Sequence, residues 1–165
     1  MDEIHQGGCL CGSVRYKTIG QPIKVFVCHC SMCQRATGSA FAIEPAFLKS
    51  NVEFTGKPVA GYSYRSPDHG RLLHFTFCAT CGTRVGLSLE RLPLSQIVYG
   101  GTFDEPGWLK PDCQIFMRSA VPWVVLSDDV ERFEKHIREP DGTLAQALRR
   151  DSPSISAGVC RVGDA

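Results

Sequence analysis

Seven of the nine cysteines fall in three tight clusters: Cys9-Leu10-Cys11, Cys28-His29-Cys30-Ser31-Met32-Cys33 and Cys78-Ala79-Thr80-Cys81. A C-x-C or C-x-x-C turn can aim two sulfurs at one ion about 2.3 Å away, and thiolates so arranged favour zinc or an iron–sulfur cluster. One such cluster would say little; three in a chain of ordinary composition say that the thiols serve a metal. Zinc takes four ligands in a structural site, and three protein ligands plus an open position in a catalytic one. Seven sulfurs divide as four plus three. The trio Cys28, Cys30 and Cys33 can converge from a single turn, leaving the dyads Cys9/Cys11 and Cys78/Cys81 to close a four-cysteine site that staples the N-terminus to the middle of the chain. Spacing alone does not force this partition, since a dyad could pair with part of the trio and leave a thiol over.

The elements that must carry these clusters read as short strands. Apolar and β-branched residues recur at Gly12–Tyr16, Ile23–Val27, Phe41–Ile43 and Val52–Thr55, separated by Gly20-Gln21-Pro22 and Gly56-Lys57-Pro58. Tyr62–Arg65 and Leu72–Phe77 form a hairpin around Ser66-Pro67-Asp68-His69-Gly70, which delivers Cys78 at a strand end. Further strands are expected at Thr83–Leu89, Gln96–Tyr99, Gln114–Arg118 and Trp123–Leu126, and one helix at Thr143–Arg150, capped by Asp141. Many short strands with frequent turns make a mainly β architecture of packed sheets. The expected organisation is one zinc-stapled domain over 1–150 and a loosely ordered tail over 151–165.

Composition excludes several classes. Apolar residues at 43% and charged residues at 21% are those of a globular chain, and a net charge of +1 offers no basic surface for nucleic acid. The longest apolar run, Ala120–Leu126, is far short of the roughly 18 residues that span a bilayer. Met1-Asp2-Glu3-Ile4-His5 is acidic and polar where a signal peptide is basic and then apolar, so the expected location is cytoplasmic. Thiols there stay reduced, and an odd cysteine count also argues against a disulfide framework.

Three segments carry a resemblance: Gly8-Cys9-Leu10-Cys11-Gly12-Ser13-Val14-Arg15-Tyr16; Cys28-His29-Cys30-Ser31-Met32-Cys33-Gln34-Arg35 followed by Thr37-Gly38-Ser39-Ala40-Phe41; and Phe77-Cys78-Ala79-Thr80-Cys81-Gly82-Thr83. With Gly101-Thr102-Phe103-Asp104-Glu105-Pro106 and Pro122-Trp123 in the same order, the chain from Gly7 to Phe133 resembles the glutathione-dependent formaldehyde-activating (GFA) family, whose domain is shared with centromere protein V. The resemblance implies a Mss4-like fold of packed antiparallel sheets, a structural zinc on Cys9, Cys11, Cys78 and Cys81, and a second, open zinc on Cys28, Cys30 and Cys33. It also implies a carbon–sulfur lyase (EC 4.4 class) in formaldehyde detoxification that joins glutathione, or another small thiol, to formaldehyde or a related aldehyde. The expected partners are that thiol and aldehyde, with no nucleic acid and no membrane, and with room for a homo-oligomer. A closed four-thiolate centre should be inert, whereas an open three-thiolate centre suits a sulfur substrate.

Other residues carry a functional and a bland reading together. Arg35 can meet a glutathione carboxylate or serve as a structural donor. Thr37, Gly38 and Ser39 can wall the pocket or turn the chain, and Trp123 can cover the pocket or pack in the core. His29 sits between two ligands, but sulfur is abundant; His5, His69, His74 and His136 show no site spacing; Asp104 reads as turn chemistry. Many relatives carry a histidine where this chain has Gln114, which bears on the substrate. Two other classes stay open: a non-catalytic zinc-stabilised binding module, and a thiol or redox enzyme that would have to use Cys113 or Cys160.

Overall fold

The computed structural model describes residues 3–126, 129–138 and 143–148. The chain is mainly β and divides into two compact units, one built from Met1–Lys24 and Glu44–Leu109, the other from Val25–Ile43 and Lys110–Ala165. No helix among the described residues is long and apolar enough to cross a membrane.

The first unit holds an antiparallel three-stranded sheet in the order β1 (Ile4–Gly8), β2 (Val14–Ile19), β5 (Val52–Gly56). A second antiparallel set follows the order β4 (Ala42–Leu48), β9 (Leu92–Val98), β8 (Arg84–Leu89), β7 (Leu72–Cys78), β6 (Val59–Arg65), with β4 contributing through Ala46–Leu48. In β2 the alternation places Val14, Tyr16 and Thr18 inward and Arg15 and Lys17 outward, the period-2 signature of a half-buried strand. Val14 and Tyr16 join Phe47, Val85, Val98 and Phe103 in one apolar cluster, and the side chains of Cys9 and Cys78 are part of it.

The hairpin predicted around Ser66–Gly70 forms, with Arg65 opposite Leu72 and Val59 opposite Cys78. The strand β1 was not expected, because Gly7 and Gly8 weaken strand propensity. Those glycines are there for proximity: a Cβ on Gly7 would overlap the Tyr16 hydroxyl and the Thr102 carbonyl oxygen.

In the second unit, β3 (Lys24–Cys28) pairs in parallel with β10 (Cys113–Ile115), which pairs in parallel with β11 (Glu131–Arg132). Parallel pairs are an addition to the antiparallel arrangement expected from sequence. Asp112 locks this register at its start, its Oδ2 accepting from the Val25 N–H at 2.6 Å and its own N–H donating to the Val25 carbonyl at 2.9 Å. The seven-residue helix α1 (Ser31–Thr37) follows β3 directly and ends at Gly38, which takes a left-handed conformation and returns its N–H to the Gln34 carbonyl.

Two expected elements do not form. Trp123–Leu126 is irregular, with Trp123 75% and Val125 87% exposed, because the Val124 N–H is spent on a tight turn to Val121 O rather than on a ladder. Thr143–Leu148 is not helical: the Ala145 N–H goes to Ile137 O and the Leu148 N–H to Arg132 O, so distant carbonyls outcompete an eight-residue helix that would be marginal by itself. Asp141, Arg149, Arg150 and the tail lie outside the described residues. The expected strand Gln114–Arg118 stops at Ile115 and gives way to a 3-10 turn, Met117–Ser119.

Replacing Gly7 by alanine should destabilise the protein by about 2–3 kcal/mol, because one of the atoms in the way is backbone and cannot rotate aside. Chemical-denaturation midpoints check this; a Gly7→Ala protein as stable as the parent would show that β1 and the Tyr16 ring can separate without cost.

Candidate metal centres

Both dyads sit at hairpin tips of the same design. The tip between β1 and β2 closes with Cys9 N–H to Val14 O at 2.9 Å and Gly12 N–H to Cys9 O at 3.0 Å; the tip between β7 and β8 closes with Cys78 N–H to Thr83 O at 2.9 Å and Gly82 N–H to Cys78 O at 2.8 Å. In each, a glycine follows the second cysteine with positive φ, 76° at Gly12 and 74° at Gly82. That conformation curls the tip so that both of its sulfurs point the same way. The tips are joined by Leu10 N–H to Thr83 Oγ1 at 3.2 Å.

The sulfurs of Cys9, Cys11, Cys78 and Cys81 all lie within 4.8 Å of one another. Tetrahedral zinc with bonds of about 2.3 Å requires sulfurs about 3.8 Å apart. The separations of 3.5 Å for Cys9–Cys11 and 3.7 Å for Cys11–Cys78 fit a shared ion and are far longer than a disulfide bond. Two of its four sulfurs, those of Cys9 and Cys81, are drawn toward the anionic form, while the Cys78 thiol is pushed up. Burial raises the Cys9 pKa, but the Val14 N–H at 3.2 Å and the neighbouring Cys11 and Cys78 sulfurs outweigh it, so the net shift is downward. The Thr83 hydroxyl, 3.2 Å from Cys81 Sγ, together with backbone N–H groups, draws Cys81 down to about 5. Four thiolates so close repel one another unless a cation sits among them.

The trio has a different, local construction. Cys28 ends β3, Cys30 is the N-cap of α1 and Cys33 lies in its first turn, and their sulfurs are also mutually within 4.8 Å. Cys30 Sγ accepts the Cys33 N–H at 3.3 Å, a role normally filled by serine or aspartate. The sulfurs of Cys28 and Cys33 and the backbone N–H groups of α1 draw the Cys30 thiol down to about 3. The first turn of α1 is pinned by Gln34, whose Nε2 donates to the carbonyls of His29 and Ser119, both at 2.8 Å, while Thr37 Oγ1 donates to Cys33 O at 2.8 Å. Neither the helix nor Gln34 was anticipated; the one cue in the sequence is Gly38, which follows the cysteines at the distance of a helix C-terminus.

The structure therefore groups the seven sulfurs as four and three, resolving what spacing left open. His29 does not join the trio as a ligand. Its ring is buried, with Nε2 3.1 Å from Gln114 Oε1, so Gln114 is His29's partner. Burial depresses the His29 pKa, with the bond to Gln114 opposing in part. Arg35 and Ser39 are exposed, at the last turn of α1 and just past its cap, and Trp123 is exposed beyond the 3-10 turn. Asp104 does more than turn the chain: it forms a two-pronged ion pair with Arg15, which holds the Asp104 carboxyl below its ordinary range. Cys113 is fully buried in β10, and Cys160 lies outside the described residues.

The family model described as glutathione-dependent formaldehyde-activating enzyme matches residues 4–119, which include all seven clustered cysteines. The chain belongs to the GFA family. No curated protein matches it significantly. Three solved chains do, among them a crystal structure of a Rhodobacter sphaeroides protein, a structural-genomics target, at 20% identity over 64% of this chain and 91% of that chain with a TM-score of 0.48. That likeness is too weak to bear on the fold. The GFA match ends before Trp123.

Burial disfavours the charged His29 imidazole. Its ring protons should titrate by NMR with a midpoint below the ordinary 6.5, and a midpoint at or above 6.5 would show that the ring is solvated.

Proposed function

We propose that this GFA protein is a zinc-dependent carbon–sulfur lyase-type enzyme that joins glutathione, or another small thiol, to formaldehyde or a related aldehyde to give the S-hydroxymethyl thiol adduct. The observation that carries the reading is the contrast between the two sulfur clusters. One has four donors and satisfies a tetrahedral ion; the other has three, at a strand–helix junction, and leaves a position for an incoming ligand. Two zinc ions per chain follow from that count.

Zinc bound by Cys28, Cys30 and Cys33 would supply a site that holds a substrate thiol as thiolate near neutral pH. The reaction itself is an addition: the thiol sulfur bonds to the carbonyl carbon, the C=O π bond breaks, and the proton lost by sulfur ends on oxygen. The chain's residues fix the frame for that step. Gln34 anchors the loop before α1 through the carbonyls of His29 and Ser119, so the three sulfurs hold one arrangement. Arg35, exposed two residues after Cys33 in α1, would offer a planar pair of donors to a substrate carboxylate, Ser39, past the Gly38 cap, a hydroxyl, and Trp123 an apolar cover. Burial of Cys113 argues against a mechanism through that thiol, since a nucleophile must meet its substrate.

The test is NMR exchange spectroscopy of adduct formation from glutathione and formaldehyde, scored above the uncatalysed background. Cys30→Ser should remove the acceleration while leaving the four-cysteine cluster metallated. Arg35→Ala should raise KM for glutathione about tenfold, with kcat nearly unchanged. A protein that carries two zinc ions and does not speed the exchange would instead be a zinc-stapled binding module.

A further inference from the structure

Of the seven clustered sulfurs, the most exposed belongs to the cluster with no vacancy. Cys28 and Cys33 of the trio are buried and Cys30 half-buried; Cys9 and Cys78 are buried, Cys81 half-buried, and Cys11 is exposed. The surroundings of Cys11 are open as well. Leu10 is 90% exposed, and a Cβ built on Gly12 or on Gly82, at the facing tip, would meet no atom within 4 Å. A small reagent can thus approach the Cys11 sulfur from solvent, while two further sulfurs wait behind it at 3.5 Å (Cys9) and 3.7 Å (Cys78).

We propose that Cys11 is an oxidation site for hydroperoxides, and that its oxidation closes a disulfide within the four-cysteine cluster and expels the metal. The Cys11 sulfur attacks the terminal oxygen of the hydroperoxide, the O–O bond breaks, and an alcohol (water, for hydrogen peroxide) leaves with a proton from solvent, so that Cys11 becomes a sulfenic acid. The sulfur of Cys9 or Cys78 then attacks Cys11, the S–O bond breaks, and water departs. Two sulfurs give up one electron each, and the peroxide takes both. Two of the four donors are thereby withdrawn, and the remaining pair cannot satisfy a tetrahedral ion. The trio is less accessible, because its outermost cysteine, Cys30, is half-buried where Cys11 is exposed. The centre expected to be inert is therefore the one that oxidant reaches first. This inference is independent of the activity proposed above.

The experiment treats the metal-loaded full-length chain with sub-stoichiometric tert-butyl hydroperoxide, follows zinc release with a chromogenic chelator, and maps sulfurs by alkylation and non-reducing peptide mass spectrometry. The first disulfide should join Cys11 to Cys9 or Cys78, with one zinc released per disulfide, while Cys28, Cys30 and Cys33 remain as alkylatable as in untreated protein. A Cys11→His variant keeps a zinc ligand but cannot form the disulfide, and should release zinc about tenfold more slowly. Oxidation of the trio before or together with Cys11, or zinc loss without any disulfide at Cys11, would overturn the proposal, whichever way the activity assay turns out.

Discussion

Cys11 and Cys78 are 67 residues apart in the chain, yet their sulfurs lie 3.7 Å apart, and Cys9 and Cys81 complete the group. That convergence is the constraint on which the first unit depends. Sulfurs this close, two of them with lowered pKa values, are mutually repulsive as thiolates, and a divalent cation held among them would make the arrangement favourable. The apolar core does not stand apart from it. Cys9 and Cys78 pack in the same cluster as Val14, Tyr16, Phe47, Val85 and Phe103, so the ligands are held by hydrophobic burial and the burial is registered by the ligands. Loss of either would loosen the other, as expected where metal binding and folding are one free energy.

The trio is organised by short-range forces. Three residues of one strand–helix junction bring Cys28, Cys30 and Cys33 together, with Cys30 serving at once as sulfur donor and helix cap. Because the N-cap role leaves its sulfur accepting a backbone N–H, the same bond that starts the helix also favours the anionic form of the thiol. Gln34 ties the helix to the His29 and Ser119 carbonyls outside it and Thr37 braces it internally on Cys33 O, so a seven-residue helix that could not persist in isolation is rigid enough to present a site.

The strand runs with clean alternation, such as Val14–Ile19, and the hairpin about Ser66–Gly70 were legible in the sequence because side-chain period and turn residues are local signals. The failures have equally physical causes. β1 contains two glycines selected for close approach rather than for strand propensity. α1 is short and built around metal-type cysteines, so helical periodicity never develops. Trp123–Leu126 has strand-like composition, but the Val124 N–H closes a turn, and Thr143–Leu148 has a helical pattern whose Ala145 and Leu148 N–H groups find carbonyls elsewhere.

The sequence by itself determined which seven cysteines form candidate metal-binding clusters and which family the chain belongs to, because those facts depend on residue type and spacing over a few positions. Tertiary structure decided the grouping into four and three, which spacing left open, since it depends on two hairpin tips meeting across the chain. It alone showed that His29 faces Gln114 rather than joining the trio, and that Asp104 grips Arg15. Exposure, too, belongs to the folded surface: nothing in the spacing of four cysteines distinguishes Cys11 from Cys9, and only the packing around the two tips leaves one sulfur in solvent and the other in the core.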